Sequence, residues 1–247
     1  MTSIAIVGGT GLTSLAGLKI SGEETLLTKY GEPSGPITRG SLAGKQILFL
    51  PRHGYQHTIP PHKVNYRANI AALKTAGAEY IIAVNAVGGI SQEMQACVVA
   101  IPDQIIDYTW SREHTFFDGG ESGVEHIDFT QPYCESLRTS LIQSGKQSGI
   151  ELLDYATYAA TQGPRLETPA EINRLEKDGC HIVGMTGMPE AALARELDLC
   201  YASVSVVANM AAGRGDGEIT MAEIDENLKS GMDKVRRLLE TVIPNLA

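Results

Sequence analysis

Arg52 and His53 stand side by side just past the apolar run Ile47–Leu50, with Gly54 after them. A guanidinium can hold a phosphate or carboxylate through two parallel hydrogen bonds, and a neighbouring imidazole can donate to the same anion. An isolated pair of this kind is equally compatible with a surface arginine and a core histidine whose ring nitrogens have partners. Thr10, Asn85 and Thr186 add further side-chain donors, each at the end of another apolar run. Together these residues would make a neutral-to-cationic cup for an oxyanion. Glu167 and Asn209 offer different chemistry. A carboxylate accepts hydrogen bonds, and a primary amide both donates and accepts, so the two can read the edge of a heterocycle. An oxo-purine would give a ring N–H to Glu167 and take a hydrogen bond on O6 from the Asn209 amide, whose carbonyl can receive an N7–H. A plainer role is also open to Glu167, as part of the helix start at Thr168.

The stretch VGGTG, residues 7–11, leaves three options: a dinucleotide loop, a cradle for free phosphate, or a simple turn. The dinucleotide fingerprint needs G-x-G-x-x-G; Gly9 and Gly11 fit, but Ser14 stands where the third glycine belongs. A Walker loop is absent, since Gly44-Lys45 is followed by Gln46 and Arg39 replaces the first glycine. A strand that ends in exposed N–H groups and the Thr10 hydroxyl suits an anion. Taken alone, the loop is more simply a strand-to-helix turn. His53 and His57 have i,i+4 spacing, but Gly54 and Pro60-Pro61 argue against the helix a metal site would need, so no metal is expected. No G-x-S-x-G elbow is present. Met185, Met188, Met210 and Met221 fit core filling as readily as a pocket wall.

The elements that must position these groups are legible as apolar runs: Ile4–Val7, Ile47–Leu50, Tyr80–Val84, Val98–Ile101, His181–Met185 and Tyr201–Val207. Lys63 to Ala76 has helical spacing and stops at Gly77. Thr168-Pro-Ala-Glu171 and Thr220-Met-Ala-Glu223 read as capping boxes, the second opening a helix to about Val242. Alternation of strands and helices predicts an α/β fold with a parallel or mixed sheet and helices on both faces. Nearly every strand ends in a polar, often glycine-rich cluster, and the carboxyl ends of strands in such a sheet form the ligand crevice. No Pro/Gly-rich linker divides residues 1–247, so one domain is expected.

Composition bounds the partners. A net charge of −9 disfavours nucleic acid or an anionic membrane as a partner of the overall field. The apolar runs are far shorter than the ~18 residues of a membrane span, and Met-Thr-Ser-Ile does not open a signal peptide. Cys97, Cys134, Cys180 and Cys200 are scattered without a C-x-x-C pair. That predicts neither a zinc site nor a disulfide framework and fits a reducing cytoplasm.

The segments IAIVGGTGL, RHGYQHTIPPHKVNYRANIAALKTAGAEYIIAVNAVGG, DQIIDYT, TQGPRLETPAE, VGMTGMPEAALARELDLCYASVSVVAN and ITMAEI follow one another in order across essentially the whole chain. Jointly they resemble the trimeric purine nucleoside phosphorylase and methylthioadenosine phosphorylase family, and within it the subgroup that takes methylthioinosine. The resemblance implies a phosphorylase/hydrolase-like α/β fold, with a mixed sheet or distorted barrel flanked by helices, assembled as a homotrimer. It implies phosphorolysis of a purine nucleoside to free base and a ribose 1-phosphate, with inorganic phosphate as co-substrate and no cofactor. Matched motif to motif, Thr10, Arg52, His53, Asn85, the Ala86 N–H and Thr186 would bind phosphate. Met185 would pack on the ribose. Glu167 and Asn209 would read the base, with Asn209 and His53 nearest the chemistry.

Departures within the family set the expected specificity. Relatives that take 6-aminopurines carry Ser and Asp at the positions of Glu167 and Asn209, so the Glu/Asn pair implies a 6-oxopurine. Met221 stands where inosine and guanosine relatives place a histidine toward the 5′-hydroxyl, which implies a 5′-methylthio group. His126 resembles a residue that reaches this 5′ region from a neighbouring subunit. Asn85 stands where methylthioadenosine relatives have Thr, which leaves a donor of different length. A general inosine/guanosine phosphorylase and a methylthioadenosine phosphorylase are the alternatives.

Overall fold

The first strand, β1 (Ser3–Gly8), sends Ile4 and Ile6 into one apolar cluster and Ala5 and Val7 into another. Successive side chains of a strand point to opposite faces, so both faces of the sheet are buried here, as expected where helices cover both. The structure is a computed structural model that describes residues 3–246. After β1 come β2 (Lys19–Glu24), β3 (Ile37–Leu42), β4 (Lys45–Pro51), α1 (Tyr66–Thr75), β5 (Ala78–Gly89), β6 (Val99–Ala100) and β7 (Gln104–Asp107). The second half runs through α2 (Glu135–Gln147), β8 (Leu152–Leu153), β9 (Thr157–Ala160), α3 (Pro169–Lys177), β10 (Ile182–Gly184), α4 (Gly187–Glu196), β11 (Cys200–Met210) and α5 (Met221–Val242).

The strands form one mixed sheet of 11, ordered β2-β3-β4-β1-β5-β10-β9-β7, with β11 joined to β5 and β6, and β8 to β6. It does not close into a barrel. On one face α5 lays down Ile224, Leu228, Met232, Val235, Leu239 and Val242, spaced at three or four residues, against Ala202, Val204 and Val206 of β11. On the other face α1 and α4 cover Ala5, Val7, Ile81 and Tyr201. Thr168 caps α3 through a complete capping box, and Thr220 Oγ1 accepts from the Glu223 N–H at the start of α5. Both helices start where the sequence places them, but at α5 only the Thr220 half of the expected capping box forms.

One expectation is corrected. Cys134, immediately before α2, and Cys200, the first residue of β11, are joined by a disulfide across a Cα separation of 5.1 Å. The two are 66 residues apart in sequence, but the Cys134 N–H donates to the Tyr201 carbonyl at 2.8 Å and draws the segments together. Spacing along the chain carried no information about that contact, and cysteine pattern no longer bears on compartment. Among the described residues no helix is long and apolar enough to cross a membrane, and no three His, Cys, Asp or Glu side chains converge as a metal-ligand set.

Candidate active site

The cleft exists because β5 outlasts its neighbour. β1 pairs with it only as far as Val7 opposite Ala83. β11 occupies the other edge of β5 along its length, so β10, which pairs at Gly88 and Gly89, must sit on the β1 edge. Residues 84–87 are left uncovered between β1 and β10. A cavity of 420 Å³ opens there, within the range of ligand sites. Thr10, Arg52, His53, Asn85, Ala86, Glu167, Met185, Thr186, Asn209 and Met221 all line it. His126 does not line it, being exposed on a loop between β7 and α2, and of the four methionines weighed as pocket wall Met188 and Met210 lie outside it too.

At one end sit the strand-end loops of β1, β4 and β5. Gly9 is required by close approach, since a β-carbon there would fall 2.6 Å from the Val84 carbonyl and 3.0 Å from Arg52 Nη1. Arg52 is fully buried and does not stand as a free cation. Its Nε and Nη2 donate to Glu190 Oε2 and Oε1 at 2.7 and 2.8 Å, and Nη1 donates to the Val84 carbonyl at 3.2 Å. Burial alone would lower the guanidinium pKa, but the charge and hydrogen bonds of Glu190 outweigh it and hold Arg52 charged. His53 goes the other way. Burial, then the Arg52 charge, push its pKa down to about 4, so the ring is neutral at pH 7. Its Nδ1 lies 2.8 Å from the Ile59 carbonyl, a contact only a protonated Nδ1 can make, which leaves Nε2 as an acceptor. The cup is therefore close to neutral rather than cationic. Asn85 and Thr186 are tied together as well: Thr186 Oγ1 donates to Asn85 Oδ1 at 2.9 Å, and Asn85 Nδ2 donates to Ser203 Oγ at 2.6 Å.

At the other end a bulge does the positioning. The β5–β11 register runs regularly to Val87 opposite Val207 and then skips to Gly88 opposite Asn209, so Ala208 is an extra residue. Such a bulge re-aims the side chain that follows. Asn227 of α5 fixes it by donating to the Ala208 carbonyl at 2.9 Å. Asn209 Nδ2 donates to the Met210 carbonyl at 2.7 Å, which leaves its second N–H and its Oδ1 for a ligand. Glu167 Oε1 accepts from Thr161 Oγ1 at 2.7 Å, and no protein donor meets Oε2 among the described residues. Met185 is brought close by Gly163, which has φ +61° and would place a β-carbon 2.4 Å from the Met185 sulfur. Ile219, Met221 and Ile224 add an apolar stretch to the lining.

Glu190, Tyr201, Thr161 and Arg112 were not singled out in the sequence. Arg112 Nη1 donates to the Met185 and Met188 carbonyls at 2.8 and 2.6 Å, and its Nη2 to the Gln162 carbonyl at 2.9 Å, so one guanidinium ties two walls of the cleft together. A signal for Glu190 was present: it is the one acid in the apolar stretch Met188-Pro-Glu-Ala-Ala-Leu, and a carboxylate at such a position needs a cation. Nothing in the sequence said which cation.

The chain is similar to known proteins over nearly its whole length. The family model described as the phosphorylase superfamily matches residues 3–244. A protein of Pseudomonas syringae pv. tomato named probable S-methyl-5'-thioinosine phosphorylase is 56% identical over 98% of this chain and 99% of its own length. The 6-oxopurine nucleoside phosphorylase of Pyrococcus furiosus is 45% identical over 99% of this chain and 93% of its own. Among solved structures, methylthioadenosine phosphorylase from Schistosoma mansoni in complex with adenine superposes with a TM-score of 0.95 at 29% identity, covering 99% of this chain and 92% of that one. With its fold and nearly its full length in common with these proteins, the chain belongs to the phosphorylase superfamily.

Proposed function

We propose that the protein cleaves S-methyl-5'-thioinosine with inorganic phosphate, giving hypoxanthine and 5-methylthioribose 1-phosphate. The observation that carries this is the joint opening of Glu167, Asn209 and the apolar wall Ile219, Met221 and Ile224 onto one cleft, with Arg52, His53 and Thr10 at its other end. Phosphate attacks the anomeric carbon as the bond to the purine N9 breaks, and the electron pair leaves with the base. The sugar becomes oxocarbenium-like in the transition state, and the phosphate charge beside it lowers the barrier. Glu167 Oε2 takes a ring N–H of the base. As negative charge grows on the purine, N7 takes a proton from solvent; the free N–H of Asn209 donates to O6 and its Oδ1 accepts from that N7–H, so the base leaves as neutral hypoxanthine. No cofactor enters this chemistry; phosphate is the co-substrate.

His53 with Nε2 as acceptor suits a phosphate oxygen that still carries its proton, and Arg52 supplies N–H donors to the others. The Ala86 N–H, Asn85 and Thr186 complete the phosphate end. Met185 packs on the ribose and Met221 meets the 5′ substituent. In the homotrimer that belongs to this proposal, His126 reaches the 5′ region of a neighbouring subunit.

A general 6-oxopurine phosphorylase is the second reading, supported by the similarity to the Pyrococcus furiosus protein. Product release from methylthioinosine, inosine and methylthioadenosine, measured side by side, separates them. Fast release from methylthioinosine alone supports the proposal. Preference for inosine removes the 5′ argument and keeps the base argument, and preference for methylthioadenosine does the reverse.

A further inference from the structure

Arg52 carries five N–H groups, and the protein engages three of them: Nε and one N–H of Nη2 on Glu190, and one N–H of Nη1 on the Val84 carbonyl. Two remain, on a guanidinium that borders the cleft. Glu190 is as buried as its partner, with side-chain exposures of 0% for Arg52 and 1% for Glu190. Its Oε1 also accepts from the Tyr201 hydroxyl at 2.9 Å. Three residues, from the turn after β4, from α4 and from β11, thus form one buried chain that ends at the guanidinium bordering the cleft.

We propose that Glu190 is a positioning residue for the phosphate end of the cleft: it clamps the Arg52 guanidinium so that its two free N–H groups face the anion, and Tyr201 holds the clamp. The inference rests on the phosphorolysis reading and extends it to residues that do not touch phosphate themselves. Charge alone argues the opposite. Glu190 cancels the Arg52 charge, so its removal would make the cup more attractive to an anion. Orientation outweighs that effect because the pair is dry. A buried arginine that loses its carboxylate has donors with no acceptor, a cost large enough to move the side chain. In Glu190→Gln the new NH₂ faces arginine N–H groups, donor against donor, and the guanidinium must swing to find another partner. A bidentate phosphate contact depends on that orientation.

The test varies phosphate and methylthioinosine separately in steady-state assays of wild type, Glu190→Gln and Tyr201→Phe. Glu190→Gln is expected to raise the KM for phosphate by about tenfold or more, the loss of roughly one charge-assisted hydrogen bond, with the nucleoside KM unchanged. Tyr201→Phe is expected to shift the phosphate KM the same way by about threefold, less than Glu190→Gln because its hydrogen bond to the carboxylate acts on the guanidinium only through Glu190. It keeps the ring that stacks on Tyr133 at 6.1 Å, and it decides the matter if Glu190→Gln does not fold. A second readout is thermal stabilisation by phosphate alone and by hypoxanthine alone; only the first should weaken. A phosphate KM that is unchanged or lower, or a nucleoside KM that rises in step, overturns the inference. Wild-type cleavage that ignores phosphate overturns the phosphorolysis reading beneath it, and is recognised before any variant is made.

Discussion

Thr161 Oγ1 donates to Glu167 Oε1 at 2.7 Å, with the Gly184 carbonyl 3.3 Å from the same hydroxyl. The hydroxyl has one proton and two oxygens in reach, and the carboxylate is the nearer and the charged one. One oxygen of Glu167 is thereby fixed, and the other has no protein donor among the described residues. Thr161→Val removes that anchor and keeps the shape. It is expected to raise the nucleoside KM by about fivefold, with the phosphate KM unchanged, while Thr161→Ser stays near wild type. An equal rise in both KM values in Thr161→Val would deny the hydroxyl this role.

Asn209 acts chiefly as charge develops on the leaving purine. Asn209→Ala is expected to lower kcat by about 100-fold with a smaller change in KM, the pattern of a donor used in the transition state. Because the Ala208 bulge is held by Asn227, the backbone at residue 209 should survive the substitution. Joined with Glu167→Ser, Asn209→Asp should move preference toward a 6-amino substrate, read as the ratio of kcat/KM for methylthioadenosine over methylthioinosine.

Met221 opens α5 and is 65% exposed at the cleft. Met221→His replaces an apolar contact by a donor. The ratio of kcat/KM for methylthioinosine over inosine should fall by about tenfold, the usual worth of one such pocket contact. A ratio that stays put would mean that the 5′ group is read elsewhere.

His53 makes stability depend on pH in a defined window. Its pKa is about 4 in the folded protein against 6.5 for the free side chain. Between these values the unfolded chain binds a proton that the folded one does not. The His53 contribution is therefore whole above about pH 6.5, declines as pH falls toward about 4, and changes no further below that. Urea midpoints at pH 7.5 and 5 should differ more in wild type than in His53→Gln; equal differences would place the histidine outside this linkage.

The sequence carried the strands that end at the cleft, because β1, β4, β5 and β11 are continuous apolar runs followed by glycine or polar residues. It also carried the starts of α3 and α5, where the caps are local chemistry. What stayed hidden depends on contacts between distant segments. The bulge at Ala208 changes where Asn209 points without changing any residue type. Arg52 was legible as an anion ligand but not as half of a dry ion pair with a carboxylate 138 residues away. The Cys134–Cys200 bond was missed for the same reason. His53 and His57 pack with ring centroids 4.8 Å apart without a helix between them, so i,i+4 spacing said nothing about their geometry.

The most direct test is hypoxanthine release from methylthioinosine with and without phosphate, with the sugar product followed by phosphorus NMR. Release that depends on phosphate, with one phosphate ester formed for each hypoxanthine, is the expected result. Release at the same rate without phosphate, giving free methylthioribose, would contradict phosphorolysis and make the Arg52–His53 end of the cleft something other than a phosphate site.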